Sequence, residues 1–100
     1  MSDEYARVAL ARPPAMAGIL AEFAEVADER DPACGLALVR CTEGRAYVGQ
    51  IMRVDRDGRT FAMMPVTRAG EFADYPLHLP TDAVLALRFA NLDEAGRGER

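Results

Sequence analysis

Three arginines, Arg53, Arg56 and Arg59, are spaced three residues apart around an Asp-Arg-Asp-Gly sequence, and they are the strongest chemical feature of the chain. A guanidinium group donates paired hydrogen bonds to phosphate oxygens and stacks on the flat face of a nucleobase. Residues 34–68, which contain these arginines, hold six Arg and three acidic residues, although the whole chain has a net charge of −4. We therefore expect an RNA strand or an acidic protein partner to bind here.

The same arginines also have a simpler interpretation, in which they belong to a solvated surface and are balanced by Asp55 and Asp57. His78, the single histidine, alternates with two leucines and is predicted to lie on the solvent face of a strand. It joins the three arginines as a candidate ligand-binding residue.

Catalysis and metal binding find little support in the sequence, which has one histidine, one serine and no lysine. A cysteine nucleophile would need Cys34 or Cys41 next to His78. A zinc site needs four ligands, and the Asp55–Gly58 segment lacks the distal glutamate of a calcium loop. The sequence therefore predicts a protein that is not an enzyme and has no cofactor or metal.

The length of 100 residues and an apolar fraction of 50% are typical of one globular domain. No apolar stretch approaches the ~20 residues that a membrane helix requires, and the Met1–Glu4 segment is acidic, unlike the start of a secretory signal. These features predict a cytoplasmic protein that does not bind membranes. Its two cysteines are predicted to lie on one strand, reduced and apart, with Cys41 the more buried.

The spacing of apolar residues predicts one helix followed by five short strands. After Pro13-Pro14, a stripe at helical spacing predicts a helix over about residues 14–30, which Asp31-Pro32 ends. Alternating residues separated by turn sequences then predict strands at residues 36–41, 45–54, 60–64, 72–79 and 84–89. The single domain is expected at residues 13–92, with an N-terminal arm at 1–12 and a frayed tail at 93–100.

Four residues are predicted to shape the second strand and its turns. Gly44 makes the turn before the strand, Gly49 bends it, Ile51 fills the core, and Asp55 stands where the next hairpin begins. Their order and spacing resemble the first motif of Sm-like proteins, including the bacterial Hfq branch. The resemblance implies a mainly β domain with an N-terminal helix, folded as a small five-stranded bent-sheet barrel of the Sm-like or SH3-like kind.

The resemblance also implies a non-enzymatic, regulatory binding module that contacts RNA or an RNA-handling protein. The rival hypothesis, favoured by the acidic net charge, is a protein–protein interaction adaptor that does not bind nucleic acid. Sm-like rings pair strand four with strand five of the next subunit. Pro76 removes a backbone donor from the predicted fourth strand, so the sequence leaves the oligomeric state open.

Overall fold

The computed structural model describes residues 13–95, so the arm predicted at residues 1–12 lies outside them. A helix, α1, spans Pro13–Glu25, and five strands follow it in a single antiparallel sheet. The strands are β1 (Ala37–Cys41), β2 (Ala46–Val54), β3 (Thr60–Pro65), β4 (Leu77–Pro80) and β5 (Val84–Phe89). The prediction of a mainly β fold with one N-terminal helix and five strands is confirmed.

The sheet is open, with strand order β4-β3-β2-β1-β5. The prediction of a barrel is corrected in this respect, because β4 and β5 are the two edges and do not pair within the described residues. Helix α1 covers the inner face of the sheet. Its apolar residues fill space that, in a closed barrel, side chains of the strands alone would fill. Phe23 of the helix reaches β5, where its ring stacks on Phe89 with centroids 4.2 Å apart.

Each face of the sheet carries its own apolar cluster, and the two clusters are separate. The larger cluster joins α1 to the inner face and includes Leu20, Val39, Ile51 and Phe61. The smaller one lies on Leu36, Val48, Val66 and Ala95, with Leu38, Phe72 and Ala90 packed against it. The central strands β1 and β2 therefore contribute side chains to both clusters.

Helix α1 ends at Glu25, five residues earlier than predicted. The Val26 and Ala27 amides bond to carbonyls three residues back, and the Asp28 carboxylate then accepts the Arg30 amide at 2.9 Å. Such short-range side-chain bonds compete with helical ones. Val26 is 46% exposed, so a longer helix would bury little additional apolar surface. That burial would not compensate for the loss of these side-chain hydrogen bonds.

Two other boundaries, those of the fourth strand and of the C-terminal tail, also differ from the sequence prediction. The fourth strand is short, since only Leu77–Pro80 pairs continuously with β3, and Pro76 precedes it. The tail predicted from residue 93 begins in a 3-10 turn, Leu92–Glu94, and Ala95 is buried in the smaller cluster. Burial of Ala95 and an ion pair between Arg88 and Glu94 hold this part of the chain against the sheet.

The loop between α1 and β1 is anchored by one buried side chain. The Gln50 amide donates to the Asp31 carbonyl oxygen at 2.7 Å and to the Cys34 carbonyl oxygen at 2.6 Å. Gln50 is itself only 3% exposed, and these bonds satisfy polar groups that burial would otherwise penalise. The prediction that Cys34 belongs to the first strand is wrong, because Cys34 lies in this loop.

The two cysteines should differ sharply in their reactivity towards iodoacetamide. Both thiols are free, and Cys41 is buried, as predicted, whereas Cys34 is partly exposed. Burial raises the pKa of the Cys41 thiol, which further lowers its thiolate fraction. We expect mass spectrometry of the native protein to show one label, on Cys34, and a second only after unfolding. Equal labelling rates in the folded state would contradict the buried position of Cys41.

Candidate functional site

The hairpin between β2 and β3 is held by hydrogen bonds within the turn. The Asp55 amide donates to the Thr60 carbonyl and the Gly58 amide donates to the Asp55 carbonyl, both at 2.9 Å. Gly58 has a φ of 73°, a backbone conformation that glycine adopts without strain. Asp55 stands at the start of the hairpin, where the sequence placed it.

The two aspartates of the hairpin stabilise the turn instead of pairing with the arginines. The Asp55 carboxylate accepts the Thr60 hydroxyl, and the Asp57 carboxylate accepts the Arg59 amide at 3.0 Å. No ion pair within the described residues involves Arg53, Arg56 or Arg59, and all three are exposed. Their guanidinium groups are therefore available to an external anion.

Arg56 and Arg59 line an open cleft of about 900 Å³ between the hairpin, α1 and the corner that joins β4 to β5. Small residues form the helical wall, Ala17, Gly18 and Ala21. Asp82 lines the corner side together with Thr81. Two arginines thus line a cleft that is also lined by Asp55, Asp57 and Asp82.

Arg53 and His78 lie on the other side of the hairpin, on the outer face of the sheet. Both are cross-strand partners of Ala62, Arg53 from β2 and His78 from β4. Adjacent strands are ~4.8 Å apart, so the two backbone positions are separated by roughly 10 Å. The structure therefore divides the four predicted binding residues into a cleft pair and an outer-face pair on one hairpin. His78 is exposed, as expected.

A β-bulge next to Arg53 adds Met52 to the outer face. The register shifts between Ile51 and Arg53, so Met52 has no partner of its own on β3 and is 43% exposed. A bulge places two residues of one strand opposite one residue of the other. The outer-face pair thus has an adaptable apolar side chain beside it.

The hairpin tip is tied to the corner between β4 and β5. The Thr81 amide donates to the Arg59 carbonyl at 2.7 Å, and the Thr81 hydroxyl donates to the Gly58 carbonyl. Thr81 is only 2% exposed. Its position holds Arg56 and Arg59 over the cleft.

The sequence favoured a core position for Met52, which is exposed instead, and it did not identify Thr81 or Asp82 as part of this region. The bulge interrupts the two-residue period that would have assigned Met52 to a face. Pro80-Thr81-Asp82 is recognisable as a turn, but the pairing of its threonine with a hairpin more than twenty residues away depends on tertiary structure. The available signal was the polar Thr81-Asp82 pair shortly before the apolar fifth strand.

The four predicted structural residues lie in β2 and in the turns on either side of it. Gly44 turns the chain at a φ of 97°, and its amide bonds to the Cys41 carbonyl. Ile51 is fully buried in the larger cluster. A Cβ on Gly49 would clash with the Met64 carbonyl oxygen and lie 2.7 Å from the Pro65 Cα, so β2 and β3 approach too closely there for any side chain.

Within residues 13–95, no group of three or more His, Cys, Asp or Glu side chains is arranged to hold a metal ion. In the same part of the chain, no helix has the length and apolar character needed to span a bilayer. Comparisons with protein-family models, curated proteins and solved structures found no match to this chain.

Proposed function

We propose that this protein is a non-enzymatic binding module that contacts single-stranded RNA through the arginines of the β2–β3 hairpin. The observation that carries the proposal is that Arg53, Arg56 and Arg59 are exposed and form no ion pair within residues 13–95, while the neighbouring aspartates are engaged in the turn. The resemblance to Sm-like proteins points in the same direction.

The two faces of the hairpin offer complementary contacts to a nucleic-acid strand. On the outer face, the Arg53 guanidinium and the His78 ring are flat groups on which unstacked bases can stack. At the tip, Arg56 and Arg59 provide phosphate contacts. An RNA strand that crosses the tip would stack its bases on Arg53 and His78 on one side. Its phosphates would contact Arg56 and Arg59 on the other side.

Binding should be weak and sensitive to salt, because the chain as a whole carries a net charge of −4. Two phosphate contacts to a single strand, from Arg56 and Arg59, give a salt slope of roughly −1.4, so affinity falls roughly 7-fold between 50 and 200 mM salt. A salt-independent complex would not fit a contact made mainly by guanidinium groups.

The test is titration of fluorescent oligo-U and oligo-A with the wild-type protein and with Arg56→Glu/Arg59→Glu. We expect binding at about 50 mM salt that disappears in the double variant. The matched control is Arg40→Glu/Arg68→Glu, which makes the same charge change at two exposed arginines away from the hairpin and should retain most of the affinity. Equal losses in both variants would mean that net charge alone attracts the RNA.

The second candidate function is a protein–protein adaptor with no nucleic-acid binding. It is favoured by the acidic net charge and by the Asp55, Asp57 and Asp82 side chains in and around the cleft, which repel phosphate. This function predicts no RNA binding by folded protein at tens of micromolar and low salt. The same double charge reversal would then disrupt a complex with an acidic protein surface.

A further inference from the structure

The cleft beside the β2–β3 hairpin has three walls that differ in chemistry. The hairpin supplies Arg56 and Arg59, and the corner between β4 and β5 supplies Asp82. The wall formed by α1 consists of small residues, and a Cβ built on Gly18 meets nothing within 4 Å. The volume of about 900 Å³ lies within the range of ~300–1,000 Å³ that is usual for sites of small molecules. The cleft is therefore large enough for a nucleotide, to which it presents cations, an anion and a flat apolar surface.

The charged side chains of the cleft differ in whether the protein already uses them. The carboxylates of Asp55 and Asp57 accept hydrogen bonds within the turn. Among the described residues, the side chains of Asp82, Arg56 and Arg59 have no hydrogen-bond or ion-pair partner. A ligand that joins the two walls therefore needs an anionic group for the arginines and hydrogen-bond donors for the free carboxylate.

The backbone places Asp82 beside the tip that carries the arginines. The Thr81 amide donates to the Arg59 carbonyl at 2.7 Å, and Asp82 is the next residue in the chain. Both Thr81 and Asp82 belong to the 3-10 turn Thr81–Ala83. The free acceptor and the two cations are therefore carried on neighbouring backbone segments that are bonded to each other.

Among the bases of RNA, guanine has the Watson–Crick edge that best fits a free carboxylate. An ionised carboxylate is an acceptor with two oxygens, and guanine presents its N1–H and N2–H groups side by side as donors. Adenine and cytosine each present one amino donor beside a ring acceptor, and uracil presents one N–H between two carbonyl groups. Proteins commonly read an unpaired base on this edge. Guanine alone can donate two parallel hydrogen bonds to Asp82.

We propose that the cleft binds one guanine nucleotide of a single-stranded RNA, with the guanine edge on Asp82 and the adjacent phosphates on Arg56 and Arg59. The flat face of the base lies against the small residues of α1, where the absence of a side chain at Gly18 lets it approach the helix closely. This inference rests on the proposed RNA-binding function and adds a base preference to it. The outer-face pair is left for neighbouring bases of any type.

The first test compares fluorescent oligo-U with the same oligonucleotide carrying one guanosine, at about 50 mM salt. A single guanosine avoids the assemblies that guanine-rich strands form. We expect the guanosine to tighten binding about tenfold, which is the effect of one bidentate base contact. Adenosine at the same position should give no gain, and inosine, which lacks the N2 amino group, should give only part of it.

Asp82→Asn tests the carboxylate, because it replaces one acceptor oxygen by a donor and keeps the size of the side chain. The ratio of the affinities for oligo-U with and without guanosine should fall from about ten to about one. Asp74→Asn removes the same charge at an exposed position outside the cleft and should keep the preference. A guanosine preference that survives in Asp82→Asn would overturn the proposal.

Gly18→Leu tests the helical wall without a change of charge. The variant should fold, because the position is open and leucine is a stronger helix former than glycine. Its side chain would occupy the place of the base, so the affinity ratio should again fall towards one. Ala15→Leu adds the same side chain at an exposed position of α1 outside the cleft, and it should keep the preference.

The outcomes separate this inference from the function on which it rests. Equal affinity for oligo-U with and without guanosine would overturn the guanine site and leave RNA binding by the hairpin intact. Binding of neither oligonucleotide would overturn both, and it is the result expected of the protein–protein adaptor.

Discussion

Ile51→Asp should leave the protein without a cooperative unfolding transition in thermal or urea denaturation. Ile51 is fully buried between strands and helix, and its cross-strand partner Met63 is also fully buried. An aspartate there would place a carboxylate among apolar side chains with no partner. The cost of several kcal/mol is comparable to the whole stability of a small domain.

The neighbouring residue provides a matched control for this substitution. Met52→Asp introduces the same side chain one position later, where the bulge exposes it. We expect it to fold, with a stability change within about 1 kcal/mol. A cooperatively folding Ile51→Asp, with a midpoint near that of Met52→Asp, would show that the face of β2 is misassigned.

Gly49→Ala should destabilise the protein by about 3 kcal/mol or more. This is the reverse of the usual effect, because replacing glycine by alanine stabilises a protein where the native conformation accepts a side chain. The added methyl group would collide with the backbone of β3 at Met64 and Pro65, and backbone cannot rotate away as a side chain can. The two strands would have to separate along the centre of the sheet. Urea denaturation monitored by circular dichroism measures the loss.

Gly18→Ala is the control, because the two substitutions are expected to change the free energy of unfolding in opposite directions. Gly18 lies in α1, and a Cβ built there meets nothing within 4 Å. Alanine is the stronger helix former by roughly 1 kcal/mol, so this variant should be more stable than the wild type. If Gly49→Ala were neutral or stabilising, the close approach of β2 to β3 would be refuted.

Much of the fold could be predicted from the sequence because local patterns determine it. The bounds of β5 followed from a short, nearly continuous apolar run that comes after turn residues. A glycine in mid-strand marked Gly49 as a position with a special backbone requirement, and Asp-Gly marked the hairpin at Asp55. At each of these positions, the residue's own conformational preference and its tertiary environment agree.

The features that sequence reasoning missed depend on contacts between distant segments. Helix α1 ends early because the Asp28 side chain bonds to the backbone. The spacing of apolar residues, from which the helix was predicted, does not reveal such a bond. The open sheet reflects how α1 fills the inner face. The division of the arginines between cleft and outer face depends on the bulge at Met52, and a shift by one residue changes the face of every side chain after it.

The buried threonine at the corner between β4 and β5 has a consequence for the entropy of binding. Because Thr81 fastens Gly58 and Arg59 through backbone oxygens, the hairpin tip is restrained before any ligand arrives. A ligand that engages Arg56 and Arg59 would then immobilise side chains alone, at roughly 0.5–1.5 kcal/mol each, without also ordering a loop. An open, mixed-charge cleft can in this way bind a ligand with few contacts.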